Sequence, residues 1–302
     1  MAKTKKIIIV GVGHIGGSLG LALMQNKKEP WYVVGIEENQ EHRQIAMRKK
    51  MVHEIYPVAD FGEHCADVEM VVICVNLSIL PNVVLSCSEA LISHQRQKKR
   101  TTVPVITDVG SVKTPLLTEF GGGQSPNVPF VGGHPIAGTE HSGPDYADGN
   151  LFKKQLVILT PVKKTDPKAV ARVRALWEGL GAEVEEMTPS EHDQALAATS
   201  HLPHMLAYSL IETVSRLGKP TSKRKARNLL KYSAGGLRDF TRVAGSSPVM
   251  WRDIAVENQA PIVETINEFK KVLNLIEESI ARGDGPSLEE IFRHVEGIRK
   301  GL

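Results

Sequence analysis

Three groups of residues in this chain carry side chains suited to moving protons or holding anions. Residues 130–143 read FVGGHPIAGTEHSG and place His134 between Gly133 and Pro135, with Gly138, Thr139 and Glu140 just behind. Glycines let backbone come close to a ligand, and proline fixes the local chain direction. An imidazole held there titrates near neutrality and suits general acid–base work. The same residues would also serve as an ordinary turn with a half-exposed histidine. Ser200-His201-Leu202-Pro203-His204 puts two histidines three apart on one side of a helix bent by Pro203. That spacing is metal-like, but no third ligand accompanies it, so no metal is expected. The rings are expected to bond a substrate or the carbonyls that proline frees. In GGLRDFTR (235–242), Arg238 follows a Gly-Gly break and either binds a carboxylate bidentately or pairs with Asp239.

Side chains of this kind need a frame, and the first 37 residues supply one. Ile7–Val10 is a β-branched run of the buried parallel-strand type. It leads into Gly11-x-Gly13-x-x-Gly16, a helical run through Leu19–Met24, a second strand Tyr32–Ile36, and then Glu37. Strand, GxGxxG, helix, strand and acid in this order form the dinucleotide fingerprint. Gly11 permits the tight turn, Gly13 lets backbone meet a pyrophosphate, and Gly16 lets the helix pack on the strand. The helix N-terminus, at His14, Ile15 and Gly16, offers N–H groups and a positive dipole end to phosphate. Glu37 would accept from ribose hydroxyls and repel a 2′-phosphate, which favours NAD over NADP. Arg43 and Arg48 are expected on the solvated face of the next helix.

Further strands are expected at Val68–Val75, Val103–Thr107, Phe130–Gly133, Leu156–Leu159 and Glu183–Met187, with helices at Leu80–Ile92 and Pro167–Leu180. Ser93–Thr102 reads as a solvated basic loop and Gly121–Pro129 as a flexible one. Ser111, in DVGSVK (108–113), stands between a strand end and a helix start. It faces a ligand or caps the helix, and spacing does not choose between these.

The pattern changes at Thr188-Pro189-Ser190-Glu191, a capping box with proline at the first helical position. From there no strand is expected, and helices are read at about 188–217, 221–239, 249–282 and 286–299. The expected architecture is thus an α/β Rossmann-type dinucleotide-binding domain at 1–187 followed by an all-α domain at 188–302. Ile262, Ile266, Phe269, Leu273, Ile276 and Ile280 form an apolar stripe on a long helix, which suits packing against a second subunit.

Composition narrows the function classes. The 302 residues are 41% hydrophobic and 24% charged, with net charge +3. That charge is too mild and too dispersed for a nucleic-acid partner. Three cysteines, Cys65, Cys74 and Cys87, form no CxxC pair, so no disulfide framework is expected. No stretch reads as a signal peptide or as long and apolar enough to span a membrane, so a cytoplasmic location and no membrane partner are expected.

With GVGHIGGSLG (11–20), DVGSVK, GGHPIAGTEHSG (132–143), SHLPH and GGLRDFTR in this order, the chain resembles the prephenate/arogenate dehydrogenase family, often called the TyrA family. The resemblance runs over nearly the full length. It implies NAD-dependent oxidation and decarboxylation of a small anionic cyclohexadienol, prephenate or arogenate. On the family pattern His134 is the base that takes the hydroxyl proton, and Ser111 orients it and the nicotinamide. Arg238 would bind the ring carboxylate, His204 the substrate with Ser200 close by, and Thr139 and Glu140 would line the pocket. The family also implies a homodimer through the C-terminal helices. The chain departs from the pattern in having Glu37 where Asp is more usual, and it is expected to carry neither a chorismate mutase segment nor a regulatory domain. Two other readings share the frame. A β-hydroxyacid dehydrogenase would need a catalytic lysine early in the helical part, where none occurs between Lys168 and Lys219. A non-enzymatic dinucleotide sensor would keep binding without turnover.

Overall fold

The computed structural model describes residues 5–98, 103–119, 124–125, 128–138, 141–220 and 227–301. Its strands are β1 (Lys5–Val10), β2 (Trp31–Ile36), β3 (Glu54–Tyr56), β4 (Val68–Ile73), β5 (Val105–Asp108), β6 (Gln124–Ser125), β7 (Val128–Pro135), β8 (Leu156–Thr160) and β9 (Glu183–Glu186). The helices of the same part are α1 (His14–Gln25), α2 (Gln40–Arg48), α3 (Leu80–Lys98), α4 (Thr114–Glu119) and α5 (Pro167–Gly179). The sheet order is β3-β2-β1-β4-β5-β7-β8-β9, with β6 paired to β7. From β3 to β7 the pairs are parallel, and β8 then runs antiparallel to β7. The reversal of strand order between β1 and β4 opens a crevice at the carboxyl ends of the strands, where ligands of such sheets sit.

The apolar runs explain this layering. Alternate residues of a strand face opposite sides. Ile7, Ile9 and Val33 pack on one side with α1 and α5, and Ile8, Val10, Val34 and Ile36 on the other with α3. Strands buried on both faces cannot alternate with polar residues, which is why β1 and β4 read as continuous aliphatic segments.

An ion pair fixes the carboxyl end of β5. Asp108 and Lys113 are both fully buried. Lys113 Nζ donates to Asp108 Oδ2 at 2.5 Å and to the Gly133 carbonyl at 2.8 Å. Asp108 also accepts from the amides of Gly110 (2.8 Å) and Gly133 (3.2 Å). Two adjacent strands are thereby locked together one residue short of His134.

The sheet ends at Glu186, and Thr188 with Glu191 forms the expected capping box on α6 (Pro189–Leu196). A π-helical turn (Ala197–His201) joins α6 to α7 (Leu202–Gly218). Then come α8 (Gly235–Thr241), α9 (Pro248–Glu257), α10 (Gln259–Arg282) and α11 (Gly285–Arg299). A small core gathers Ala197, Trp251, Ile254 and Ile262 around Val112, which comes from the sheet-bearing part.

Several expectations are corrected. The helix read at 249–282 breaks at Asn258, because Pro261 has no N–H for the carbonyl four residues back. The helix read at 221–239 becomes a 3-10 turn at Leu229–Tyr232 and the short α8, which Gly235 and Gly236 begin rather than break. Residues 221–226 lie outside the described residues. The basic stretch read as loop continues α3 as far as Lys98. Of the loop read at 121–129, Gln124–Ser125 and the start of β7 are strand, and 121–123 and 126–127 lie outside the described residues. Leu77–Gln95 does reach the length and apolarity of a membrane span. It turns Leu80, Val84, Cys87 and Leu91 onto the sheet, as a core helix does.

Lys113→Met would strand the Asp108 charge in the core. We expect a loss of about 3–5 kcal/mol, or a melting point lower by roughly 10 °C, with part of it regained in Asp108→Asn/Lys113→Met. Thermal and denaturant melts of the three proteins check this.

Candidate active site

The dinucleotide turn has the shape its glycines require. Gly11 has φ of +88°, and a Cβ there would lie 2.4 Å from the Cys74 carbonyl oxygen. A Cβ on Gly16 would meet the Gly11 carbonyl oxygen at 2.0 Å, whereas one on Gly13 would meet nothing within 4 Å. The first two glycine roles are internal, and the open side of Gly13 is a cradle for a ligand. No side chain caps the N-terminus of α1, so its first amides are free to meet phosphate oxygens. Glu37 lies against this turn. Its carboxylate accepts from the Val12 amide at 2.8 Å and the Asn39 amide at 2.9 Å. Arg43 is not on the solvated face. It folds back to donate to the carbonyls of Glu37 and Glu38, each at 2.7 Å. Arg48 is exposed. His14 is half-buried beside His141, and burial lowers its pKa.

His134 stands near the carboxyl end of β7, paired with Ile158 of β8. Parallel pairing of Thr107 with Val131 brings the end of β5, and Ser111 beyond it, to the same edge of the sheet. The imidazole is half-buried, and its Nδ1 lies 2.8 Å from Nε2 of His192. Nδ1 of His192 lies 2.7 Å from Oδ1 of Asp193. Asp193 accepts from the amides of Lys113 (2.9 Å) and Thr114 (2.8 Å) at the start of α4. Burial works upward on its carboxyl, but the bonds from His192, Thr114 and Lys113 outweigh it and hold the pKa below the usual value. Burial lowers the His192 pKa despite the Asp193 bond. Burial, then His192, Lys113 and His201, pull the His134 pKa well below 6.5.

The helical part extends this string of groups. The Asn258 amide donates to the Asp193 carbonyl at 2.8 Å and lies 3.1 Å from Nδ1 of His201. Burial pushes His201 down to about 4. His204 stacks on Trp251 with ring centroids 3.6 Å apart, and its Nδ1 bonds the Ser200 carbonyl at 2.8 Å. The rings of the SHLPH pair thus bond a helix carbonyl and Asn258. Arg238 is exposed on α8. The arginine whose charge reaches His204 is Arg242, one turn further on. Thr139 and Glu140 lie outside the described residues. The sequence reading missed His192, Asp193, Lys113 and Asn258. The adjacent His192-Asp193 pair and the Asn258-x-x-Pro261 break were the available signals.

Comparison with known proteins identifies the family. Residues 19–186 match the family model for the prephenate dehydrogenase nucleotide-binding domain, and 188–294 the model for its dimerization domain. The chain belongs to the prephenate dehydrogenase family. It is similar to the cyclohexadienyl dehydrogenase of Zymomonas mobilis, with 33% identity over 100% of this chain and 97% of the relative. Prephenate dehydrogenase of Bacillus subtilis is 31% identical over 98% of this chain and 76% of its own. The crystal structure of prephenate dehydrogenase from A. aeolicus, in complex with hydroxyphenyl propionate and NAD⁺, superposes with a TM-score of 0.88 at 34% identity, covering 99% of this chain and 98% of that one. Synechocystis arogenate dehydrogenase gives 0.75 at 29% identity, over 98% and 99%. The fold is that of the family: a Rossmann-type nucleotide-binding domain followed by a helical dimerization domain.

The glycines separate two roles. Gly13→Ala should leave the melting point within about 2 °C of the parent while weakening NAD⁺ binding at least tenfold, because its Cβ intrudes only on ligand space. Gly11→Ala should lower the melting point by several degrees, from strain of about 1–3 kcal/mol. Calorimetry and NAD⁺ titration of both variants check this.

Proposed function

We propose that the protein oxidises and decarboxylates prephenate with NAD⁺, giving 4-hydroxyphenylpyruvate and CO₂. The observation that carries this is His134, held by His192 on the sheet edge shared with the dinucleotide turn. When bound, the nicotinamide supplies a hydride acceptor for the ring carbon bearing the hydroxyl. His134 takes the hydroxyl proton as the C–H electron pair leaves and the C=O forms. The C–C bond to the ring carboxylate then breaks, its electron pair completes the aromatic ring, and the proton held on His134 returns to the oxygen. Ser111, at the end of β5, is proposed to orient His134 and the nicotinamide.

Arg238 is proposed to hold the ring carboxylate, on the strength of the GGLRDFTR motif, and His204 with Ser200 to border the substrate. Thr139 and Glu140 are proposed pocket residues on motif resemblance. Glu37, already beside the turn, is proposed to accept from the adenosine ribose and to favour NAD⁺. We take the protein for a homodimer. On α10 and α11, Val272, Leu275, Phe292, Val295 and Ile298 are each 54–58% exposed in the single chain, an apolar surface of the kind that subunits cover. A cytoplasmic location accords with this reading.

Arogenate is the second reading, favoured by the likeness to a cyclohexadienyl and an arogenate dehydrogenase. Turnover of prephenate and arogenate, each with NAD⁺ and NADP⁺, decides. We expect prephenate with NAD⁺ to give the highest kcat/KM of the four.

His134→Asn should lower kcat by about 10²-fold or more with NAD⁺ affinity kept, as for loss of a general base. A base works when unprotonated, and burial shifts His134 toward that form. The acid limb of kcat/KM should therefore lie below pH 6.5, the value of an unperturbed histidine. A pH–rate profile with kcat of the variant tests both, and near-normal kcat would remove His134 from its role.

A further inference from the structure

The string of groups behind His134 has a direction. Asp193 has both oxygens occupied as acceptors, from Lys113 and Thr114 amides and from His192. An ionised carboxylate only accepts, so Nδ1 of His192 must carry its hydrogen and donate. A neutral imidazole has one donor and one acceptor nitrogen, which leaves Nε2 of His192 as an acceptor. The 2.8 Å contact then requires Nδ1 of His134 to donate. By the same rule Nε2 of His134 is left with its lone pair. Starting from one capped carboxylate, the hydrogen bonds assign every ring nitrogen in turn.

We propose that His192 and Asp193 are positioning residues that hold His134 in its Nδ1–H tautomer, so that the lone pair on Nε2 faces the substrate hydroxyl.

This rests on His134 being the base, and it adds what makes it one. A free imidazole divides between two tautomers, and in the Nε2–H form the same nitrogen could only donate to the hydroxyl. Fixing the ring from behind, as carboxylates do for active-site and metal-bound histidines, removes the unproductive form. The geometry has a second effect. As the O–H bond breaks and Nε2–H forms, His134 becomes an imidazolium whose Nδ1–H already points through His192 toward Asp193. The charged and titratable groups around the pair are Asp108 and Lys113 from the sheet edge, Asp193 from α6, and His201 from the π-helical turn. Among these Asp193 is the anion bonded directly to His192, which is fully buried.

The tautomer can be read without any substitution. Long-range ¹H–¹⁵N correlation on histidine-labelled protein with NAD⁺ bound, with the His134→Asn spectrum for assignment, should give the Nδ1–H pattern for His134. His134→Asn activity, measured separately, tests the base itself, so failure of the two ideas is distinguishable. His192→Phe fills a similar space but offers no acceptor. It should lower kcat by about 10²-fold, with KM for NAD⁺ within twofold, a melting point lower by several degrees from the lost donor to Asp193, and the Nδ1–H pattern no longer dominant. His192→Gln keeps an acceptor oxygen and should recover at least tenfold of that loss together with the Nδ1–H pattern. An Nε2–H pattern in the parent would overturn the proposal, as would His192→Phe turning over within threefold of it. Loss of kcat in His192→Phe with the Nδ1–H pattern unchanged would overturn it too, by showing that the residue acts on something other than the tautomer.

Discussion

Asp193 stands on α6, in the helical part of the molecule, yet its two oxygens receive the amides of Lys113 and Thr114 at the start of α4, in the sheet-bearing part. A carboxylate that is almost wholly buried is costly unless its acceptor positions are filled. Here two main-chain amides and one imidazole fill them, and the positive end of a helix adds to the balance. Removing either part of the molecule would leave the charge uncompensated. The same bonds fix where α6 begins relative to the sheet, and therefore where His192 meets His134. Val112, next to the capped residues, completes the apolar side of the joint by entering the helical core with Trp251 and Ile254. The site is thus a property of the junction rather than of either domain.

The frame that carries His134 to this junction is polar as well. Asp108 and Lys113 tie β5 to β7 through the Gly133 amide and carbonyl. Glycine is required at 133, because a Cβ would lie 2.9 Å from the Asp108 carbonyl oxygen. The Gly-Gly before the histidine, expected as the end of a strand, lies in β7 and is pressed against its neighbour. After His134, Gly138 takes a φ of +159°, and a Cβ there would meet nothing within 4 Å among the described residues.

What could be read from the chain follows the range of the forces involved. Gly11, Gly13, Gly16 and Glu37 were legible because the turn, the helix start and the acid are local in sequence and have one structural solution. His134 stood out as a candidate from its neighbours. His192 and Asp193 were not, because their partners lie 58 and 79–80 residues away and helix α6 announces only its own capping box. Asn258 was hidden in a continuous helical pattern. Its side chain bonds the Asp193 carbonyl and lies within reach of His201, a tertiary use of the Pro261 break that the apolar periodicity does not announce. For the SHLPH pair the sequence predicted bonding to a substrate or to freed carbonyls. His204 bonds the Ser200 carbonyl, a helix carbonyl but not the one four residues before Pro203, which belongs to Thr199.

Two demands on the proposed base pull against each other, and the arrangement meets both. Before reaction the ring must be neutral, and burial beside Lys113 favours that form. During reaction the ring must accept a proton, and a dry site next to a buried ammonium would resist it. Lys113 is already paired with Asp108, so its charge is largely compensated within the sheet. Among the described residues Asp193 has no such cation. Its partners are two amides and a neutral imidazole, and the cluster is left with one formal negative charge. That charge is aimed through His192 at Nδ1 of His134. It acts little on a neutral ring and strongly on a charged one, since a low-dielectric surrounding strengthens interactions between ions far more than those between an ion and a dipole. The stabilisation therefore grows as the proton moves.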